Sequence, residues 1–269
     1  MKRHCILIGI VSTALCGPSA QGALIAYEGF NYPNDSDVLA NQSGGAGWSA
    51  PWVDTEAPNG DFHHLTQNDV SLNLPGYVLP TSGDHLAGMA GEGSRNFNGG
   101  IDLSQDGNVL FASVLFRKDT DGGTGADNIE FDLGQDGGQT IRFGSSSGEQ
   151  FFLTDSGNPL GTVELGKLYM LILKVTSSAA SPDLVQGLII DETESIPLVE
   201  PVTWDLTHMP NSNVMLNSVR LAMGNNASGA FDEVRIGTTW NDVAVPEPSS
   251  ACLLILGVAV FFGLHRVRR

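Results

Sequence analysis

Between residues 23 and 242 the chain never sustains a helical hydrophobic period, and that constrains its fold more than any other feature. Its apolar residues come in short runs separated by clusters of Gly, Asp, Asn and Ser, the pattern of antiparallel strands joined by tight turns. Residues 23–30 (ALIAYEGF) read as the first strand. A long Gly-rich polar loop follows over 31–51, then an irregular strand over 70–79 and a weaker one over 85–90. Residues 109–117 (VLFASVLFR) are apolar at both even and odd positions, so both faces of that strand should be covered. Further strands are expected at 128–133, 139–144, 150–154, 168–176 (LYMLILKVT), 184–191, 214–223 and 230–237 (AFDEVRIG). Ser145-Ser146-Ser147-Gly148 makes the hairpin turn between 139–144 and 150–154. In 214–223, Val214, Leu216, Ser218 and Arg220 should share one face, and Met215, Val219 and Leu221 the other. The expected fold is an all-β antiparallel sandwich or barrel, one domain spanning 23–242.

All three cysteines, Cys5, Cys16 and Cys252, lie outside that body, so the fold must be held by its core rather than by disulfides. Acidity is concentrated inside it. Of 13 Lys and Arg, five are terminal (Lys2, Arg3, Arg266, Arg268, Arg269), and of 30 Asp and Glu only Glu247 is, which leaves the middle of the chain at −21. Such a charge makes nucleic acid and anionic lipid poor partners and leaves cations or neutral glycans as better ones.

The two ends read as addresses. Lys2 and Arg3 precede an apolar stretch over 5–16, then Gly17-Pro18 and Ala20-Gln21-Gly22, a secretory signal peptide over 1–22 cut after Gly22. Lipid attachment at Cys16 is the weaker alternative, because Leu15 is bulky for that processing site. At the other end, Pro246 and Pro248 bracket Glu247 and hold the chain extended. Residues 251–264 carry no charge, and a helix over 249–265, with Arg266, Arg268 and Arg269 snorkelling at its end, approaches the ~30 Å of a hydrocarbon core. The positive-inside bias would keep those arginines cytoplasmic and the body outside.

Val245, Pro246, Glu247 and Pro248, the following serines, the oily segment and the arginine end together resemble the PEP-CTERM sorting tail, over 243–269. That family occurs on exported proteins of Gram-negative bacteria that make extracellular polysaccharide. The resemblance implies recognition and removal of the tail by an exosortase-type membrane enzyme, with membrane anchoring before processing. A second resemblance is carried by Tyr27-Glu28-Gly29-Phe30 at the start of the body and by Phe231-Asp232-Glu233-Val234-Arg235-Ile236-Gly237 with Trp240 at its end. These look like the first and last strands of concanavalin-like jelly rolls of the laminin-G type, in which the chain ends lie side by side. That family includes lectins, adhesion modules and glycoside hydrolases.

Candidate chemistry is sparse. Asp119, Asp121, Asp127 and Glu130 fall at positions 1, 3, 9 and 12 of a 12-residue window, near the spacing of a calcium loop. Gly123 and Thr124 stand where that loop needs a ligand and a glycine, so an acidic hairpin is the plainer reading and calcium the one cofactor left in view. Glu130 and Asp132 alternate onto one strand face, as in the E-x-D-x-x-E strand of jelly-roll glucanases, but the third position is Gln135, which cannot shuttle a proton. His63 and His64 are adjacent and would point apart on a strand; Asp61 and His85 complete no clear ligand set. Trp48 and Trp52, in the Gly-rich loop, could stack on sugar rings, whereas Trp204 and Trp240 read as packing. No catalytic set emerges, and no phosphate loop, CxxC or G-x-S-x-G is present. The expectation is an exported surface or extracellular-matrix protein whose sandwich binds glycan or matrix without catalysis. The alternatives are a glycoside-processing enzyme or a purely structural matrix component.

Overall fold

The computed structural model describes residues 22–32, 39–54, 71–77, 81, 83–120, 128–154 and 160–244. Residues 1–21 of the signal peptide expected over 1–22, Asp61, His63, His64, Asp121, Asp127 and the tail from Val245 lie outside them. Among the described residues no helix is long and apolar enough to cross a membrane.

Among the described residues eleven strands appear in chain order: β1 Leu24–Glu28, β2 Val53–Asp54, β3 Leu86–Asp102, β4 Val109–Thr120, β5 Ile129–Gly134, β6 Ile141–Ser145, β7 Phe151–Leu153, β8 Leu168–Thr176, β9 Leu184–Asp191, β10 Leu206–His208 and β11 Met215–Gly237. A single turn of helix, α1 Trp240–Val243, follows. All pairing is antiparallel, along the path β10-β9-β8-β4-β11-β5-β6-β7, with β1 and β3 also on β11 and β2 on β3.

β11 is the spine of this arrangement. Residues 218–223 pair with β5, and residues 229–237 pair with β4. One long strand thus passes from one leaf of an all-β sandwich to the other. The expected strands 214–223 and 230–237 are a single element, because the chain bends through irregularities rather than turning back. One irregularity lies between Leu216 and Ser218, where β3 skips from Ile101 to Asn96. It changes which face each side chain takes. Leu216 enters the same core as Val219 and Leu221, while Ser218 and Arg220 do not, so the expected grouping of Leu216 with Arg220 is corrected. The first and last strands lie side by side as the family resemblance implied, with Leu24 opposite Gly237 and Glu28 opposite Val234.

β4 shows why a run apolar on both faces needs two covers. Leu110, Ala112, Val114 and Phe116 face the core between the leaves. Phe111 and Leu115 join a second cluster with Leu72, Leu74, Met170, Ile172, Trp240 and Val243. Each such side chain taken from water contributes about 1.5–3 kcal/mol, which explains why residues 71–77 and α1 are drawn over the outer face. Residues 71–77, inside the span expected to be an irregular strand, pair with no neighbour and act as a strap instead. At the other margin, the weak strand expected at 85–90 proves to be part of the 17-residue β3.

The strap is pinned by a buried acid. Asp232 Oδ2 accepts from Ser71 Oγ (2.6 Å) and Leu72 N (2.7 Å), and Oδ1 accepts from Glu233 N (2.7 Å). Burial nevertheless pushes its pKa up to about 8 from an ordinary 3.8, and the charge of Glu233 adds to the rise. The native state therefore holds a proton that the unfolded chain has released between those values. This contribution to stability is complete below about pH 4 and lost as pH rises through about 8. Asp232→Asn should flatten that slope: the fall in urea midpoint between pH 5.5 and 8.5 should be smaller in the variant. An equal fall in both proteins would exclude Asp232 as its source.

Candidate functional site

The most chemically loaded surface is the outer face of the leaf β3-β11-β5-β6. On β5, Ile129, Phe131 and Leu133 enter the core, so Glu130 and Asp132 project to the opposite side. Strand register then sets their neighbours. Arg220 of β11 lies between Ser94 of β3 and Asp132 of β5, and Asp132 lies opposite Arg142 of β6. One step along, Ala222 sits between Glu92 and Glu130. Two arginines are thereby interleaved with three carboxylates.

The contacts are short and mostly charge-assisted. Arg220 Nη1 donates to Asp132 Oδ2 at 2.5 Å and lies 3.5 Å from Glu130 Oε2, and its Nη2 bonds Glu92. Arg142 Nε donates to Glu130 Oε2 at 3.0 Å and its Nη2 bonds the other carboxylate oxygen. Asn128 also donates to Glu130. With its amide oxygen turned inward, Gln139 accepts from Arg220 at 2.6 and 2.9 Å. Asp132 Oδ1 is buried with no hydrogen-bond partner. Burial holds the Asp132 pKa well above the ordinary carboxylate range; the charge of Glu130 adds to this and Arg142 opposes it. The edge toward solvent is formed by Arg142 (31% exposed), Glu92 (22%) and Gln139, with Phe152 beneath the Arg142 guanidinium at 5.4 Å. Such a face offers paired donors and acceptors and an aromatic flank, the groups that hold a polyhydroxylated ligand.

The residues singled out from sequence distribute unevenly. Glu130 and Asp132 share a face as their spacing implied, while Gln135 is exposed in the turn beyond β5. Asp119 is held by Arg117 at 2.6 and 2.9 Å, and Glu130 by Arg142 and Arg220, so guanidinium groups occupy the oxygens that calcium would need. Among the described residues no group of three or more His, Cys, Asp or Glu could hold a metal ion. His85 is buried.

Trp52 is in the core at 1% exposure, its Nε1 donating to Tyr32 Oη (2.9 Å) and its ring against Phe30 and Trp48. A sugar has no ring face to stack on there, which removes Trp52 from the glycan candidates. Trp48 is half-buried, donates to the Tyr27 carbonyl (2.8 Å) and has Arg95 over its ring at 4.9 Å. Their Gly-rich loop is flattened against β1; at Gly47 (φ +81°) an added Cβ would lie 1.8 Å from the Ile25 carbonyl oxygen. Trp240 packs edge-on to Phe111 and Trp204.

Glu92, Arg142 and Arg220 were missed from sequence, as was the buried pair Glu28–Arg95. A usable signal was present: only eight cations accompany 29 acids in the middle of the chain, so an arginine inside a strand pattern is a candidate for pairing.

No curated protein matches the sequence. Among solved structures, an endo-β-1,4-glucuronan lyase from the fungus Trichoderma reesei is similar at 13% identity and a TM-score of 0.44, covering 84% of this chain and 100% of that one. An alginate lyase from Aplysia kurodai is similar at 12% identity and 0.40, covering 59% of this chain and 84% of that one. The lectin I-B4 of Griffonia simplicifolia is similar at 10% identity and 0.35, covering 57% of this chain and 87% of that one. Likeness at this level leaves the activity open. Beginning at Ala244, the last described residue, residues 244–269 match the PEP-CTERM protein-sorting motif, and the chain thus carries the tail of an exported protein associated with the cell surface or envelope.

Proposed function

We infer that the sandwich is a non-catalytic module that binds a neutral glycan of the envelope or extracellular matrix, after delivery through an exosortase-type enzyme. One observation carries this reading: both carboxylates of the E-x-D strand are locked by guanidinium groups, Glu130 by Arg142 and Asp132 by Arg220. A glycoside hydrolase needs one carboxylate free to attack or activate water and another free to pass a proton. The net charge of −21 in the middle of the chain disfavours acidic polysaccharides, which leaves neutral ones.

A hydrolase reading is favoured by one feature, the raised pKa and unpartnered oxygen of Asp132, as suits a proton donor. Against it, Asp132 is fully buried, and a glycosidic oxygen could reach it only if Arg142 and Arg220 moved aside. A glycan array and a reducing-sugar assay on the purified protein separate the two. The expected result is retention of a neutral glycan without release of reducing ends. Arg142→Ala, which removes a charged donor from the rim, should weaken retention about 10-fold or more, the loss of ~1.5–3 kcal/mol. Turnover abolished by Asp132→Asn would establish the enzyme instead. Silence in both assays would favour a purely structural matrix role.

A further inference from the structure

The described residues end at Ala244. Ala244 is fully buried, α1 is fixed by Ser113 Oγ donating to the Val243 carbonyl (2.9 Å), and the match to the sorting motif begins at Ala244 itself. Six residues, 245–250, separate Ala244 from the uncharged run 251–264. Even fully extended they reach about 20 Å. The N-terminal end of the body is at the same corner: Ala23 N donates to Thr238 Oγ1 (3.2 Å). Both apolar termini of the sequence therefore attach beside α1.

An apolar ridge sits against that corner. In the segment joining β9 to β10, Leu198 is 73% exposed, Val199 74% and Val202 100%. The ridge is rigidly held. Trp240 Nε1 donates to the Pro197 carbonyl (3.0 Å), Trp204 packs edge-on to Trp240, and Ile196 is buried in the outer cluster. Pro197 and Pro201 limit its backbone further. Glu200, its one acid, is paired with Lys174 at 2.5 Å.

We propose that Leu198, Val199 and Val202 rest in the surface of a zwitterionic bilayer while the tail is uncleaved, fixing the sandwich corner-down on the membrane. This rests on the reading that the tail inserts. The tether makes the contact intramolecular, so three side chains suffice where a free protein would not bind. The acidic charge of the body selects zwitterionic over anionic lipid. Cleavage of the tail abolishes the tether and releases the ridge.

The test uses the full chain, its native cysteines replaced by serine, reconstituted in phosphatidylcholine vesicles. An environment-sensitive dye is placed at Val202→Cys or, on the opposite leaf, at Gln135→Cys. The expected result is a blue-shifted dye at 202, quenched at least twofold more by spin-labelled lipid than the dye at 135. Flotation with vesicles but equal, aqueous signals at both positions overturns the proposal and leaves tail insertion standing. Failure to float overturns both. A blue shift at 202 that grows with protein concentration and ignores the lipid quencher assigns the ridge to a second copy of the chain and overturns the lipid contact.

Discussion

Replacing Arg220 with alanine lowers the stability of the sandwich by about 3–5 kcal/mol, the cost of leaving buried charge uncompensated. For a domain of this length that is a fall in melting temperature of roughly 6–20 °C, at about 2–4 °C per kcal/mol. The size follows from position. Arg220 bridges Asp132 and Glu92, lies within 3.5 Å of Glu130, and is itself nearly buried. Without it, Glu130 keeps Arg142, and Asp132 and Glu92 lose the guanidinium that bridges them. The pH dependence has a definite sign. Loss of the guanidinium raises the native pKa of Asp132 further, so the variant is most destabilised at high pH and recovers as pH falls and the carboxylates take up protons. Asp132→Asn added to Arg220→Ala should restore part of the loss, with a coupling above about 1 kcal/mol. An Arg220→Ala protein within about 1 kcal/mol of the parent at pH 8 would mean that the bridging contacts do not form in solution.

The strands were legible where sequence and burial agree. Residues 168–176 and 184–191 form β8 and β9 with the expected limits, because each is an apolar run bounded by turn residues and paired on both sides, β8 with β4 and β9, and β9 with β8 and β10. β3 was mostly illegible. Its sequence, LAGMAGEGSRNFNGGID, has little β-propensity, and it forms because β11 pairs with it along most of its length. β2 and β10 are two and three residues long, too short to carry a pattern.

The candidate site was half legible for the same reason. Alternation alone puts Glu130 and Asp132 on one face, but only strand register brings up Arg142, Arg220 and Glu92, and register here depends on irregularities at Leu216–Ser218 and Met223–Ser228. The misplacement of Trp52 has a different origin. A Gly-rich polar stretch suggests a solvated loop, and nothing local reveals a buried ion pair whose partners are 67 residues apart. That pair shows what the Tyr27-Glu28-Gly29-Phe30 stretch does. Tyr27 Oη donates to Glu233 (2.9 Å), Glu28 accepts from Arg95, and Phe30 stacks on Trp52.

Arg95→Ala should be the second severe lesion, again about 3–5 kcal/mol, with a local signature that Arg220→Ala lacks. Glu28 is fully buried; its Oε2 accepts from Arg95 Nη1 at 2.5 Å and its Oε1 from Phe30 N at 2.9 Å. Arg95 also donates from Nε to the Ala50 carbonyl (2.7 Å) and from Nη1 to the Gly44 carbonyl (3.1 Å), and its guanidinium covers Trp48 and Trp52. One side chain therefore neutralises Glu28, fastens the Gly-rich loop and shields two indoles. Its loss should speed amide exchange across residues 39–52 before global unfolding and red-shift tryptophan emission. Arg95→Lys keeps the charge but not the fork of donors, so it should hold Glu28 and still free the loop. The decisive comparison is Glu28→Met with Arg95→Met. Removing both charges should leave a protein more stable than either single variant, because each single change strands the other ion in the core. Additive losses in the double variant would show that the loop is held by its carbonyl contacts alone, and that the ion pair contributes nothing to planting Trp52.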